Sequence, residues 1–288
     1  MNRTTISRRE VLLAAPVILS GCAVARSETA AFESIEAALA GRIGVCAVDA
    51  KSGREVRYRS DERFAMCSTF KAPLAAAVLS RIDAGALSGS ALVKLGDEPL
   101  LSNSPISARY QSAGSMPVLV ACEAVVTHSD NTAANALLNL LGGPSQMTAF
   151  FRGMGDEMSR LDRFEMSLNS NLPGDPRDTT TPKAMTGTLS RMVLGDALRP
   201  SSRDHIIRWM VEEQRGKARI RAGLPDTWRV ANKPGTSVNG ATNDIGVAWT
   251  PEQRPLVMAI YVNAPTAPRE QHEQAIAQIA RVSAELLM

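Results

Sequence analysis

Pro255-Leu256-Val257-Met258-Ala259-Ile260-Tyr261-Val262-Asn263 is mainly apolar and β-branched and is bounded by turn residues, which reads as a β-strand. Two earlier runs, Trp228–Asn232 and Asp244–Thr250, have the same character. So do 43–49 and 54–59 near the other end, joined by a turn at Lys51-Ser52-Gly53. Helical spacing flanks these strands. Residues 31–40 put Phe32, Ile35 and Leu39 on one face, and 269–287 align Ile276, Ile279, Ala280, Ser283 and Leu287. The middle reads as helices and loops: an Ala/Leu-rich 68–84 stopped by Gly85, and 117–127 with Pro117 in its first turn and Ser115 as cap. Further helices are predicted over 131–141, 144–152, 182–194 and 201–213. Strands at both ends with helices between predict an α/β fold: one sheet made from both termini, an all-α insert beside it, and a cleft at the junction. The division expected is 26–65 with 213–288 for the α/β part and 66–212 for the α part of a single domain, 26–288.

The composition is that of a globular chain: 288 residues, 44% hydrophobic and 21% charged. No apolar run reaches the ~18 residues of a spanning helix, so a polytopic membrane protein is excluded. Of the +3 formal charge, part belongs to the N-terminus, where Arg3, Arg8 and Arg9 face one acid, Glu10. Beyond residue 21 remain 29 basic and 28 acidic side chains, which gives no electrostatic reason to bind nucleic acid. The basic segment and the short apolar stretch ending near Ser20 read as an export signal over 1–25. Arg8-Arg9 resembles a twin-arginine signal. Leu19-Ser20-Gly21-Cys22 resembles a lipobox, with Cys22 as the lipidation site; cleavage after Ala23-Val24-Ala25 is the competing reading. An exported, periplasmic protein follows, either free or lipid-anchored through Cys22. The other cysteines, Cys46, Cys67 and Cys122, are odd in number, and Cys46 and Cys122 sit in apolar runs as small hydrophobes. His128, His205 and His272 are scattered, so no metal site is expected.

Three short motifs can carry chemistry. In Ser68-Thr69-Phe70-Lys71 a helix would set Lys71 beside the Ser68 hydroxyl, and an amine of depressed pKa can activate such a serine. A helix-capping serine with a solvated lysine is the competing reading. Ser129-Asp130-Asn131 opens the helix 131–141, where all three residue types also serve as caps. Lys233-Pro234-Gly235-Thr236-Ser237 follows the strand 228–232 and could equally be a strand ending in a turn.

Their order, with 61 and then 104 residues between the motif starts, resembles the penicillin-recognising serine enzymes. Arg163-Phe164-Glu165-Met166-Ser167-Leu168-Asn169 with Arg177-Asp178-Thr179-Thr180 is similar to the Ω loop of class A serine β-lactamases, and the likeness extends over nearly the whole mature chain. The resemblance implies an antiparallel sheet flanked by helices with the site in the cleft, no cofactor, a monomer, and a β-lactam as substrate. It makes Ser68 the nucleophile, Ser129 the donor to the leaving nitrogen, and Lys71 and Lys233 tuners of the proton path. The N–H groups of Ser68 and Thr236 match the oxyanion hole. Glu165 and Asn169 would hold the hydrolytic water, with Glu165 a candidate base for acylation too. Asn131 would bind the substrate's side-chain amide. Arg163 and Asp178 would close the loop by an ion pair.

Several positions depart from the family pattern. Pro234 stands where Thr or Ser normally helps bind the substrate carboxylate, so anchoring there should weaken, with the Thr236 and Ser237 hydroxyls compensating in part. Proline survives in a sheet only where its missing N–H has no partner to satisfy, as on an edge strand. Many relatives have an arginine where this chain reads Thr242-Asn243-Asp244, and Arg219 matches an alternative source; a solvated basic loop is the competing reading. Asn103 replaces a cleft-edge aromatic. Two family disulfides are excluded, because Ala75 and Ser237 stand where partners of Cys122 and Cys67 would be. A DD-peptidase, a slow penicillin-binding protein, or an impaired relative that traps β-lactams are the alternatives.

Overall fold

The computed structural model describes residues 30–288; the export signal expected over 1–25, with Cys22, lies outside the described residues. A helix over 30–39 (α1) leads into β1 (Arg42–Asp49) and β2 (Glu55–Tyr58). The turn between them is closed by Gly53 N–H donating to Asp49 O, with Gly53 at φ 74°, a backbone state glycine enters without strain. The chain returns to this sheet much later as β7 (Arg229–Thr236), β8 (Ala241–Trp249) and β9 (Pro255–Asn263), and ends in α9 (Arg269–Leu287). The order is β2-β1-β9-β8-β7 and every pairing is antiparallel, so both chain ends build one sheet as expected.

Alternation along β9 explains why its sequence is apolar throughout. Leu256, Met258, Ile260 and Val262 pack toward Phe32, Ile35 and Leu39 of α1 and Ile276 and Ile279 of α9. Val257, Ala259 and Tyr261 point the other way, into the core shared with the helical segment. Both faces of the strand are therefore covered.

That segment holds β3 (Phe64–Ala65), α2 (Lys71–Asp83), β4 (Leu92–Lys94), β5 (Ser115–Pro117) and α3 (Val118–Thr127). It continues with α4 (Asn131–Leu141), α5 (Pro144–Gly153), β6 (Thr179–Thr180), α6 (Pro182–Val193) and α7 (Pro200–Val211), before the short α8 (Ile220–Gly223). Helix α2 is buried from Lys71 through Leu79, which is why its sequence is Ala- and Leu-rich with no polar face.

Two expectations are corrected. Ser115 does not cap α3: it lies in β5, paired with Lys94, and Pro117 is the capping position with no side-chain hydrogen bond. The helix expected from residue 68 begins instead as a 3₁₀ turn, Cys67–Phe70, and becomes α-helical at Lys71. Cys67, just before the candidate nucleophile, has φ 45°, an uncommon state for a side chain with a Cβ.

Candidate active site

The cleft lies between the edge strand β7 and the helical segment. Gly235 permits the approach: a Cβ there would stand 2.9 Å from Met66 O and 3.1 Å from Ser68 N, so any larger residue would push the strand off the nucleophile turn. Pro234 lies beside Gly235 on this edge strand, opposite Asp244, a setting that tolerates a missing donor. Ser68, Ser129, Asn131, Asn169, Arg219, Gly235 and Thr236 line one cavity, joined by Asn103, Met166, Arg215, Pro234 and Arg269. Lys71, Glu165 and Lys233 are buried beside it.

Lys71 is the hub. Its ammonium donates to Ser129 O at 3.0 Å and Asn131 Oδ1 at 2.5 Å, with Ser129 Oγ at 3.4 Å and Glu165 Oε1 at 2.8 Å. The amine thus points at Ser129, Asn131 and Glu165, and among the described residues none of its bonds goes to the Ser68 hydroxyl. Burial lowers its pKa, against the attraction of Glu165. The Ser129-Asp130-Asn131 turn is held from below. Asp130 caps α4 by accepting from Ala133 N, and also accepts from the N–H groups of Ile106 and Ser107 and the Ser107 hydroxyl. Ser129 itself has φ 56°. Asn131 Nδ2 donates to Ser102 O at 2.7 Å.

Glu165 comes from the long loop between α5 and β6. Arg163 Nε lies 2.6 Å from Asp178 Oδ2, and the buried Asp178 also accepts from the backbone N–H groups of Asp162 and Arg163, so this pair draws the loop ends together. Asn169 Nδ2 donates to Glu165 Oε2 at 2.6 Å. Two buried acceptors remain without a donor, Glu165 Oε1 and Asn169 Oδ1; the Lys71 ammonium is near enough to Glu165 for an ion pair but poorly aligned for a hydrogen bond. Buried acceptors of this kind suit water molecules as donors.

At the other end, Arg219 is buried rather than solvated. Its guanidinium donates to Gly235 O at 2.9 Å, Asn243 O at 2.8 Å and Thr236 Oγ1 at 2.7 Å, with Glu273 Oε1 at 3.2 Å. Burial lowers its pKa against nearby Asp244 and Glu273. Lys233 Nζ donates to Pro234 O at 3.1 Å, and burial pushes its pKa down to about 7. Ser237 faces the loop and not the cleft: its hydroxyl donates to Asn169 O at 2.6 Å and accepts from Asn239 N. Cys46, Cys67 and Cys122 are free and buried.

Sequence reasoning missed Asn135, which accepts from Glu165 N and donates to Glu165 O, both at 2.9 Å. A signal existed, since Asn135 is four residues from Asn131 on α4 and shares its face. It also missed Glu213, whose buried carboxylate accepts from the N–H groups of Arg215 and Gly216, and Glu273, reached only through the fold.

A hydroxyl at the start of a helix, a buried lysine and a carboxylate on a clamped loop define a hydrolase that works through an acyl-serine. A model of the β-lactamase enzyme family matches residues 28–287. Beta-lactamase L2 of Stenotrophomonas maltophilia is 44% identical over 257 residues, 89% of this chain and 84% of that one. The carbapenem-hydrolyzing beta-lactamase KPC of Klebsiella oxytoca is 44% identical over 255 residues, 88% and 87% of the two chains. Among solved structures, an ancestral (GNCA) class A beta-lactamase superposes with a TM-score of 0.86 at 46% identity, covering 90% of this chain and 99% of that one. The chain belongs to the β-lactamase family, within its class A.

Proposed function

We propose that the protein hydrolyses the lactam amide of penicillins and cephalosporins in two steps. Ser68 Oγ adds to the carbonyl carbon; its proton passes into the Lys71–Glu165 pair, whose 2.8 Å contact lets either group take it. The carbonyl oxygen is received by the N–H groups of Ser68 and Thr236, each such donor being worth ~3–4 kcal/mol of barrier. The C–N bond breaks, the nitrogen takes a proton through Ser129, and an ester to Ser68 is left. Glu165 then removes a proton from a water held with Asn169, the water oxygen attacks the ester, and the penicilloic-type acid departs with Ser68 regenerated. Asn131 contacts the substrate's side-chain amide, while Lys233, Arg219, Thr236 and Gly235 form the carboxylate end. Ser237 acts through the loop bond it makes to Asn169.

One observation supports this reading over a peptidase or a trap: the buried Glu165 carboxylate beside the cleft, bonded by Asn169 Nδ2 at 2.6 Å, with Asn169 Oδ1 left as an acceptor for a water. A transpeptidase that stops at the ester needs no such water site. Intact-protein mass spectrometry after brief exposure to a penicillin tests it. Free enzyme with hydrolysed product is expected; a persistent adduct supports the peptidase or the trap, and no adduct without turnover overturns all three. We also propose export through residues 1–25, with lipidation at Cys22, action as a monomer, and the 26–65/213–288 and 66–212 division. The mass of the mature N-terminus decides the export reading. Among the described residues no helix is long and apolar enough to cross a membrane.

A further inference from the structure

We propose that Arg215 is a substrate-carboxylate contact of this enzyme, held by Asn103 across the cleft mouth in the free protein and taken over by the anionic end of the β-lactam. Three guanidinium groups, Arg215, Arg219 and Arg269, line the same cavity as Pro234 and Thr236, and Gly216, next to Arg215, packs against Pro234, whose Cγ would stand 3.2 Å from a Cβ there. Arg219 and Arg269 share one counter-ion, Glu273. Arg215 has none: among the described residues it forms no ion pair, and its Nη1 donates to the neutral Asn103 Oδ1. Asn103 is itself fixed, donating through Nδ2 to His128 O and Ser129 O, so the bridge spans the cleft from the Ser129 turn to the segment before α8. The backbone under Arg215 is pinned by its N–H to Glu213 Oε1 at 2.7 Å, while the side chain is exposed and can turn.

A cation bonded to a neutral amide at the mouth of an anion-binding cleft gains a stronger, charge-assisted partner when a carboxylate arrives. The position matters because Pro234 offers neither hydroxyl nor N–H to the carboxylate, leaving fewer donors there beside the Thr236 hydroxyl, which accepts from Arg219 and keeps its own O–H to donate. Among the described residues, Arg215 is the guanidinium lining this cavity whose charge is not shared with a carboxylate.

The proposal rests on the β-lactam hydrolysis described above, and the test separates the two. KM and kcat are measured for the parent, Arg215→Ala and Arg215→Lys on a penicillin and on its methyl ester, with thermal melts confirming that the exposed substitutions leave the fold intact. For the acid, Arg215→Ala is expected to raise KM about tenfold with kcat nearly unchanged, the size of one lost hydrogen bond to a charged group. Arg215→Lys recovers part of the loss. For the ester, parent and variant coincide. An unchanged KM for the acid, or an equal rise for acid and ester, overturns the assignment, whereas a parent inert toward every β-lactam overturns the hydrolysis reading instead.

Discussion

Lys71 Nζ stands 2.8 Å from Glu165 Oε1, and neither side chain is exposed to solvent. Each charge is tolerated in that interior because the other is there. The pair joins α2, which follows the turn holding Ser68, to the clamped loop that carries Glu165, and on the proposed reaction it is the contact that would handle both the Ser68 proton and the proton taken from water.

Replacing Glu165 by Gln keeps the shape and the bond from Asn169 but removes the basic oxygen. Acylation should continue while release of the ester slows, lowering steady-state turnover by about 10²–10⁴-fold, the usual weight of a general base. Rapid quenching with intact-mass detection should show Ser68 accumulating as the acyl form. Steady-state turnover equal to that of the parent would contradict the assignment.

Asn135 clamps the Glu165 backbone through two 2.9 Å hydrogen bonds. Asn135→Ala removes both and leaves the loop to settle elsewhere. The expected loss of stability is about 1–3 kcal/mol, read from a denaturant midpoint. The kinetic loss should fall on deacylation, because the attacking water is positioned by the displaced carboxylate. A variant that loses stability but keeps the parent's deacylation rate would show the clamp to be structural only.

Much of this was legible from local chemistry. Helix α4 has its limits written in the sequence, with Asp130 as cap and Gly142 in the left-handed state at its end. β9 was legible because alternation against two covered faces leaves only apolar residues. The 3₁₀ turn at Ser68 and the three-residue ladder at Ser115 were not, since one is imposed by β7 packing on the turn and the other by pairing with β4. The motifs supplied the order of the site residues, and the family resemblance supplied their roles. What sequence could not supply was the company each charge keeps. The resemblance puts Arg219 at the carboxylate end, with a solvated basic loop as the competing reading, but its counter-ion Glu273 lies 54 residues further on. The Arg215–Asn103 contact joins positions 112 residues apart.

Pro234 is the clearest departure from the family pattern in the cleft wall. Threonine there would fit an edge strand and restore a hydroxyl at the carboxylate end. Pro234→Thr should therefore lower KM for penicillins and cephalosporins by about three- to tenfold, one ordinary hydrogen bond, with little change in kcat. KM values that stay where they are for both substrate classes would remove Pro234 from the account of carboxylate binding.

Asp244 gives a pH test that is independent of substrate. It is fully buried, accepts from Asn232 Nδ2 and Ile220 N, and its pKa is raised to about 7 by burial, against the opposing pull of Arg219. In the unfolded chain it ionises near 3.8. Between those values the folded state holds a proton that the unfolded state has released, so this group's contribution to stability is complete below pH 4, falls as pH rises, and is lost above 7. Asp244→Asn imitates the protonated form, and its oxygen can keep the bonds to Asn232 and Ile220. The variant should match the parent's Tm near pH 4 and exceed it clearly at pH 8, by up to about 4 kcal/mol of stability for a pKa displaced from 3.8 to about 7. Thermal melts of both proteins from pH 4 to 8 decide the matter: a gap that is constant or closes toward high pH would mean that Asp244 is ionised in the fold throughout, held by Arg219 and Lys233 against the cost of its burial.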